Sequence, residues 1–522
     1  MNDTLKIKPV FRYDINTEPF MPAYTISPIK AASLLPDPLP KLYKSYVNIG
    51  IGNFFTPLAE ISITNERSKK GTIGFYGRHF STNGNVLLDN GKLAFAGYMD
   101  NDASLFGRKF FRNSLFESSL DLSQKTRYAY GYAPSVTDYS PDKKDIRTSY
   151  SNIGAKASLS SLILDSASFS YNFNTYYNYF YNAENLFQHN FGINGVMAKS
   201  FEGIYVGSGL RLDYFKYADS ISTSPDYIIS ISPFIKKSSE QWAFKIGIEA
   251  LLDRSSNPHL YPDITFDFNI VPSYVRFFSA LSGKLERNDP MKIFSENPYL
   301  VSFRFPDVIP NKYLYRLPDS DHKLIVSAGL KGNTGEGGNY LISASYSLIN
   351  SMIFYSNLVT PPGVVPAARG NFFVPIADDV ELLNFHAEMN EDISDKLKIT
   401  GIANYYSYNV GMEYAWNKPN WDGKLGLKYN LRNKIIAGME LTALGKRKLV
   451  VNGDYESVHA LYHKDIVDMP AHVNLNLSAE YRYSKILSIW AKIDNITNKP
   501  YYEWAYYPSQ RFLFMVGFTY SL

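Results

Sequence analysis

Few residues in this chain have the types and spacing that chemistry needs. His459 and His463 stand four apart beside Asp465, a spacing that binds zinc when it falls on a helix. Here the surroundings read as a loop, so a solvated or structural role is expected. The stretch Gly332–Gly338 is rich in glycine, yet no helix follows it; this is turn chemistry rather than a phosphate cradle. No nucleotide, haem or nucleophile signature is present. Catalytic residues, cofactor and metal are therefore all assigned as none, and an enzyme is not expected.

A second set of residues is charged and lies on the polar side of alternating segments: Arg211, Asp213, Lys398, Lys424, Lys428, Glu440, Glu480 and Arg482. On the inner face of a wet lumen such residues form a hydrated wall or a network that fixes strand tilt. Their mixed signs predict weak ion selectivity. An aromatic set comprises Tyr171, Phe173, Tyr176, Tyr177, Tyr179, Phe180 and Tyr181, with Trp504, Tyr506 and Tyr507 further on. Rings like these can stack on sugars or flat apolar ligands, but an interfacial girdle is the expected account of both groups.

The elements that must position these residues are β-strands. From Phe512 to Leu522 every even residue is large and apolar or aromatic, a strict period of two. His472 to Tyr483 alternates the same way, with Val473, Leu475, Leu477, Ala479, Tyr481 and Tyr483 on one face. Lys424 to Asn430 and His322 to Lys331 repeat the pattern. Short connections are expected at Asn65–Lys70, Asp121–Lys125, Leu159–Leu162, Lys199–Gly203, Lys236–Gln241, Val271–Ser273, Gly332–Gly338, Asp392–Asp395, Leu431–Lys434 and Tyr483–Ile486. Longer ones alternate with them, at 83–106, 134–147, 286–320, 351–380, 445–471 and 495–509. Short turns on one side and long loops on the other predict one large antiparallel transmembrane β-barrel, all-β, of about 22 strands within a range of about 18–22. One series of strands is expected to begin near 46, 70, 124, 164, 202, 240, 273, 338, 395, 434 and 486. The return series begins near 57, 107, 147, 184, 224, 258, 320, 380, 422, 472 and 510.

Composition agrees. The chain has 522 residues, 42 Tyr, 34 Phe and no Cys, which fits ring girdles and an oxidising envelope compartment. No run of eighteen apolar residues exists to make a transmembrane helix. The mean hydropathy of −0.22 is what strands with one lipid face produce. A net charge of +4 gives no reason to expect nucleic acid. The expected compartment is the bacterial outer membrane, with the signal peptide already removed because Met1-Asn2-Asp3 opens without a basic or apolar region. Residues 1–45 carry Pro9, Pro19, Pro22, Pro28, Pro36, Pro38 and Pro40, and are expected to form an extended segment ahead of a barrel spanning 46–522.

The chain end carries a family resemblance. Ile493-Asp494-Asn495-Ile496-Thr497-Asn498-Lys499-Pro500-Tyr501-Tyr502 resembles the penultimate hairpin of TonB-dependent receptors. Gly517, Tyr520 and Leu522 are similar to the C-terminal sorting signal of outer-membrane barrels, although Met515 stands where that signal prefers a polar residue. Asp3-Thr4-Leu5-Lys6-Ile7 looks like the box by which such receptors contact TonB. Asn384 and His386, on one strand face, faintly resemble the pair used by membrane-barrel hydrolases, but no adjacent serine can be assigned and that activity is not carried over. Receptors of the TonB-dependent type have a folded plug before the barrel. Here only the proline-rich stretch precedes it, so either the plug belongs to a part of the gene not present in this chain or the chain is a plugless form.

What the resemblance implies is uptake or passage of a solute across the outer membrane. The alternative is a non-transporting structural or assembly subunit whose lumen is occluded by loops. Partners implied are membrane lipid and lipopolysaccharide, the barrel-assembly machinery during insertion, and other outer-membrane proteins or lipoproteins.

Overall fold

In the computed structural model, described residues are 44–521 except 66–67, 69, 133–140, 163–168, 184, 219–222, 255–256, 301–316, 336, 360–370 and 452–464. They form one closed antiparallel barrel. We number its strands in chain order. The first six are β1 (Ser45–Gly52), β2 (Thr56–Thr64), β3 (Gly71–Thr82), β4 (Tyr98–Phe110), β5 (Ser114–Tyr128) and β6 (Arg147–Ser161). There follow β7 (Ser170–Asn182), β8 (Phe187–Phe201), β9 (Ile204–Ala218), β10 (Thr223–Ser238), β11 (Trp242–Leu252) and β12 (Pro258–Val271). Then come β13 (Val275–Glu286), β14 (Ser320–Asn333), β15 (Asn339–Val359), β16 (Asn371–Asp392) and β17 (Leu397–Val410). The last are β18 (Trp421–Leu431), β19 (Ile435–Leu444), β20 (His472–Arg482), β21 (Leu487–Asp494) and β22 (Leu513–Ser521). Each pairs with its chain neighbour, and β22 returns to pair with β1 from Tyr46↔Ser521 to Gly52↔Met515.

Alternation sorts the side chains. On β9, Leu210, Leu212 and Tyr214 are exposed on the outside, whereas Asp213 and Phe215 on the other face are buried. On β22, Phe514, Val516 and Phe518 point outward and Met515 is buried on the inner side. A ring of apolar residues in the exterior of a sheet closed on itself is what a bilayer-spanning barrel requires, because no strand edge is left unpaired. Among the described residues no helix is long and apolar enough to cross a membrane. At strand spacing, twenty-two tilted strands enclose a lumen roughly 40–45 Å across between backbones.

Three expected boundaries are corrected. Asp121–Lys125 is not a turn but lies inside β5; the connection is at 111–113. Leu120 and Leu122 face outward while Ser119, Asp121 and Ser123 line the lumen, so a polar inner face resembled a loop in the sequence. For the same reason β4 begins at Tyr98 rather than near 107. The connection expected over 351–380 is narrower, because β15 and β16 continue to Val359 and from Asn371. At 21 and 22 residues these two strands exceed the ten or so needed to cross a bilayer, and their ends stand above the rim.

The tight turns sit at one end. Glu202–Gly203, with φ of 51° and 81°, is a two-residue connection whose positive dihedrals match the strand twist. The long connections sit at the other end. Among the described residues they carry three hairpins, Asn85–Leu87 with Leu93–Phe95, Arg447–Val451 with Asp465–Met469, and Tyr502–Trp504 with Tyr507–Pro508. Among the described residues they also hold one short helix, α1 (Pro290–Glu296), capped by the Asp289 carboxylate accepting from Lys292 N.

Candidate functional site

The eight lumen charges are placed largely in pairs. Lys424 Nζ and Glu440 Oε2 are 2.7 Å apart, and Lys398 lies 3.5 Å from Asp392. Arg482 Nε reaches Glu480 at 3.3 Å. Arg211 Nε donates to Asp213 Oδ2 at 2.5 Å, and Tyr176 Oη donates to the other oxygen of Asp213 at 2.6 Å. Lys428 has no ion pair among the described residues and stands opposite Lys398 in register, a like-charged pair. His386 bonds Asn404 at 2.8 Å. Ser343 faces it across the ladder, but no hydrogen bond joins the two among the described contacts. Asp3, Thr4, Leu5, Lys6, Ile7, His459, His463 and Leu522 lie outside the described residues. Gly517 and Tyr520 lie within β22.

The aromatic residues divide in a way the sequence did not suggest. Phe173, Tyr177 and Tyr181 are exposed on the outer face along the length of β7, while Phe180 on the inner face is buried. Trp504 and Tyr507 are corrected outright: they are buried in a cluster built from the long connections. Tyr299 stacks on Tyr507 with ring centroids 3.8 Å apart, and Tyr130 meets Tyr507 edge-on at 5.1 Å. Trp504 packs against Phe373 and Tyr355 at 5.1 and 5.3 Å. The cluster also takes in Val86, Ile146, Phe294, Leu300 and Leu449. A fully buried aromatic or aliphatic side chain contributes about 1.5–3 kcal/mol, so a cluster this large holds its loops firmly.

Topology places this cluster across the mouth. Tyr130 follows β5, and its hydroxyl donates to Pro508 O at 2.9 Å. Asn371 opens β16; its Nδ2 donates to Ala505 O at 3.1 Å and its carbonyl accepts from Tyr507 Oη at 3.1 Å. Strands β5 and β16 are eleven apart in a ring of twenty-two (16 − 5 = 11), hence on opposite walls. The hairpin between β21 and β22 therefore links them. Arg447 fixes that hairpin: its guanidinium donates to Tyr502 O, to Glu503 O at 2.8 Å and to Asn417 Oδ1 at 3.0 Å. Burial pulls the Arg447 pKa down, yet these oxygens retain a buried cation to which no carboxylate among the described residues is bonded.

Beneath this roof lies a cavity of about 520 Å³. Its walls are lumen-facing groups of β4, β5, β20 and β21, among them Asp100, Arg127, Asn474, Asn476, Lys492 and Asp494. Its roof is Tyr130, Tyr299, Trp504 and Tyr507. Arg127 pairs with Asp100 at 2.7 Å, and Lys492 with Asp494 at 3.0 Å. Burial pushes the Tyr501 phenol up to about 12 and raises Tyr130 and Tyr299 well above the ordinary value, so all three stay neutral donors. Among the described residues no group of three or more His, Asp or Glu is placed to hold a metal ion. The sequence offered no sign of this chamber, because its roof and walls come from segments hundreds of residues apart.

No protein-family model and no curated protein matches the chain. Solved structures do. The siderophore receptor PirA of Acinetobacter baumannii superposes with a TM-score of 0.68 at 9% identity, over 93% of this chain and 81% of that one. The FrpB iron transporter of Neisseria meningitidis (F3-3 variant) gives 0.66 at 10% identity, over 93% and 82%. The copper transporter OprC gives 0.63 at 12% identity, over 92% and 81%. The likeness is one of fold: a closed, antiparallel barrel.

Proposed function

We propose that this protein is an outer-membrane barrel of the receptor type that takes part in the uptake or passage of a solute, and that its loop roof is the gate. The observation that carries the reading is the hairpin at Tyr502–Pro508, bonded above a polar chamber to segments that extend from strands on opposite sides of the barrel. A pore for small ions needs no such roof; a gate that admits a particular solute does. The receptor and transporter neighbours support a transport role in general terms. The test is solute flux in proteoliposomes made from the full chain and from a variant in which residues 502–508 are replaced by a short glycine–serine turn. Passage of a trisaccharide-sized osmolyte through the variant, and far less through the full chain, supports the reading. Two correctly folded barrels that are equally impermeable would overturn it.

One observation favours a second reading. The roof is a buried aromatic core joined by backbone hydrogen bonds, the packing of permanent structure. On that reading the barrel is a non-transporting subunit that presents its roof to partner proteins in an outer-membrane assembly. Equal impermeability, with a discrete larger complex on gentle extraction, would support it.

A further inference from the structure

We infer that the chamber beneath the roof binds an uncharged, hydroxyl-rich solute of about trisaccharide size; this rests on the passage reading and names its substrate class. The first ground is charge. The cavity is lined by Asp100, Asp494 and Glu503 against Arg127, Lys492 and Arg511, three of each sign. Two acids are already neutralised by the ion pairs to Arg127 and Lys492. A site for an anionic chelate needs a surplus of cations, and a site for a polyamine needs a surplus of carboxylates. This chamber has neither. With no metal-ligating cluster among the described residues, a bare ion is an equally poor fit.

The second ground is unspent hydrogen-bonding capacity. Asn474 lines the chamber, and among the described residues its side chain makes no hydrogen bond; its Oδ1 is closed off by protein, which leaves the Nδ2 amide hydrogens for a solute. The Asn476 side chain is only part-used, its Oδ1 accepting from Asn495 N at 3.0 Å. Amides offer donors and acceptors side by side, which suits a hydroxyl that must both give and receive. The third ground is shape. Tyr98 and Tyr299 border the same space as these amides; Tyr507 covers one face of Tyr299 and Arg127 lies over Tyr98, so each ring has one side left for the apolar face of a pyranose, beside polar groups that suit its edges. A volume of about 520 Å³ is within the range of roughly 300–1,000 Å³ that encloses drug-sized ligands.

The experiment is calorimetric titration of the detergent-solubilised full chain with maltotriose, raffinose, citrate and spermidine. At least one trisaccharide is expected to bind, while citrate and spermidine do not. Asn474→Asp places an unpaired acid in the chamber; it should weaken trisaccharide binding roughly tenfold and admit spermidine. Lys156→Gln, on the lumen wall away from the chamber, should leave affinity within about twofold. Heat-modifiable mobility on gels verifies that each barrel is folded. Binding of citrate or spermidine in preference to both trisaccharides, or of none of the four, overturns the inference. Flux through the hairpin-replaced barrel without trisaccharide binding would remove this inference and leave the passage reading standing. Binding without flux would do the reverse.

Discussion

Trp490 Nε1 donates to Asn48 Oδ1 at 2.7 Å, reaching from β21 over β22 to β1. The contact exists because β22 and β1 present glycines there, Gly517 and Gly50, paired in register. Their missing side chains make the bed on which the indole lies. Asn48 passes the network on to Glu60 at 2.8 Å, and Arg78 lies 3.2 Å from Glu60. The seam that closes the barrel is thus fastened from the inside.

Substitutions at the seam should separate two kinds of obstacle. A Cβ on Gly50 would stand 2.4 Å from the tip of the Trp490 ring, a movable side chain, with the nearest backbone atom at 3.2 Å. On Gly517 it would also stand 2.3 Å from Ile49 O, which is backbone. Both Gly→Ala changes should lower stability by about 1–3 kcal/mol. Trp490→Leu should relieve Gly50→Ala and fail to relieve Gly517→Ala, read by the denaturant midpoint of the heat-modifiable form.

The roof hairpin depends on one cation. Arg447→Met leaves the carbonyls of Tyr502 and Glu503 without their donor and should cost about 2–4 kcal/mol locally. Arg447→Lys should recover little, since one ammonium cannot span acceptors that a planar fork reaches. The readout is faster hydrogen exchange over residues 501–509, with the barrel strands unchanged.

The loop holding α1 should respond to pH. Burial raises the pKa of Asp289 and of Asp319 above their ordinary 3.8, despite Arg287 nearby. A carboxyl whose folded pKa is raised stabilises the fold in its protonated form. That contribution is complete below about 3.8 and is lost as pH climbs through the raised value. Exchange protection over 288–297 should therefore fall as pH rises from the acid side. Asp289→Asn retains the helix cap, removes the buried charge, and should raise protection at neutral pH.

On the inner wall, Lys398 and Lys428 oppose each other in register, and like charges so placed repel. Lys428→Glu should stabilise the barrel by about 0.2–1 kcal/mol at low salt, an effect that high salt removes.

How much of this was legible in the sequence follows from the range of the contacts involved. Strand existence depends on period two, which is local. Val473 to Tyr481 shows it plainly, and the two expected series track the observed strands except where a polar inner face such as Ser119, Asp121 and Ser123 resembled a turn. The roof was not legible. Tyr130 and Pro508 are 378 residues apart, and nothing in the string Trp504-Ala505-Tyr506-Tyr507 distinguishes a ring at the membrane interface from one buried under the opposite wall. Arg447 gave no signal either, because a buried cation held by backbone oxygens has no sequence partner. The lumen charges could be assigned to a face but not to each other, since pairing requires the register.

Single-channel conductance of the full chain in a planar bilayer, beside the variant with 502–508 replaced, tests the gated barrel most directly. The roof predicts a silent full chain and large, long-lived steps from the variant. Steady large steps from the intact protein would contradict it, because the hairpin held to Tyr130 and Asn371 would then not be closing the mouth.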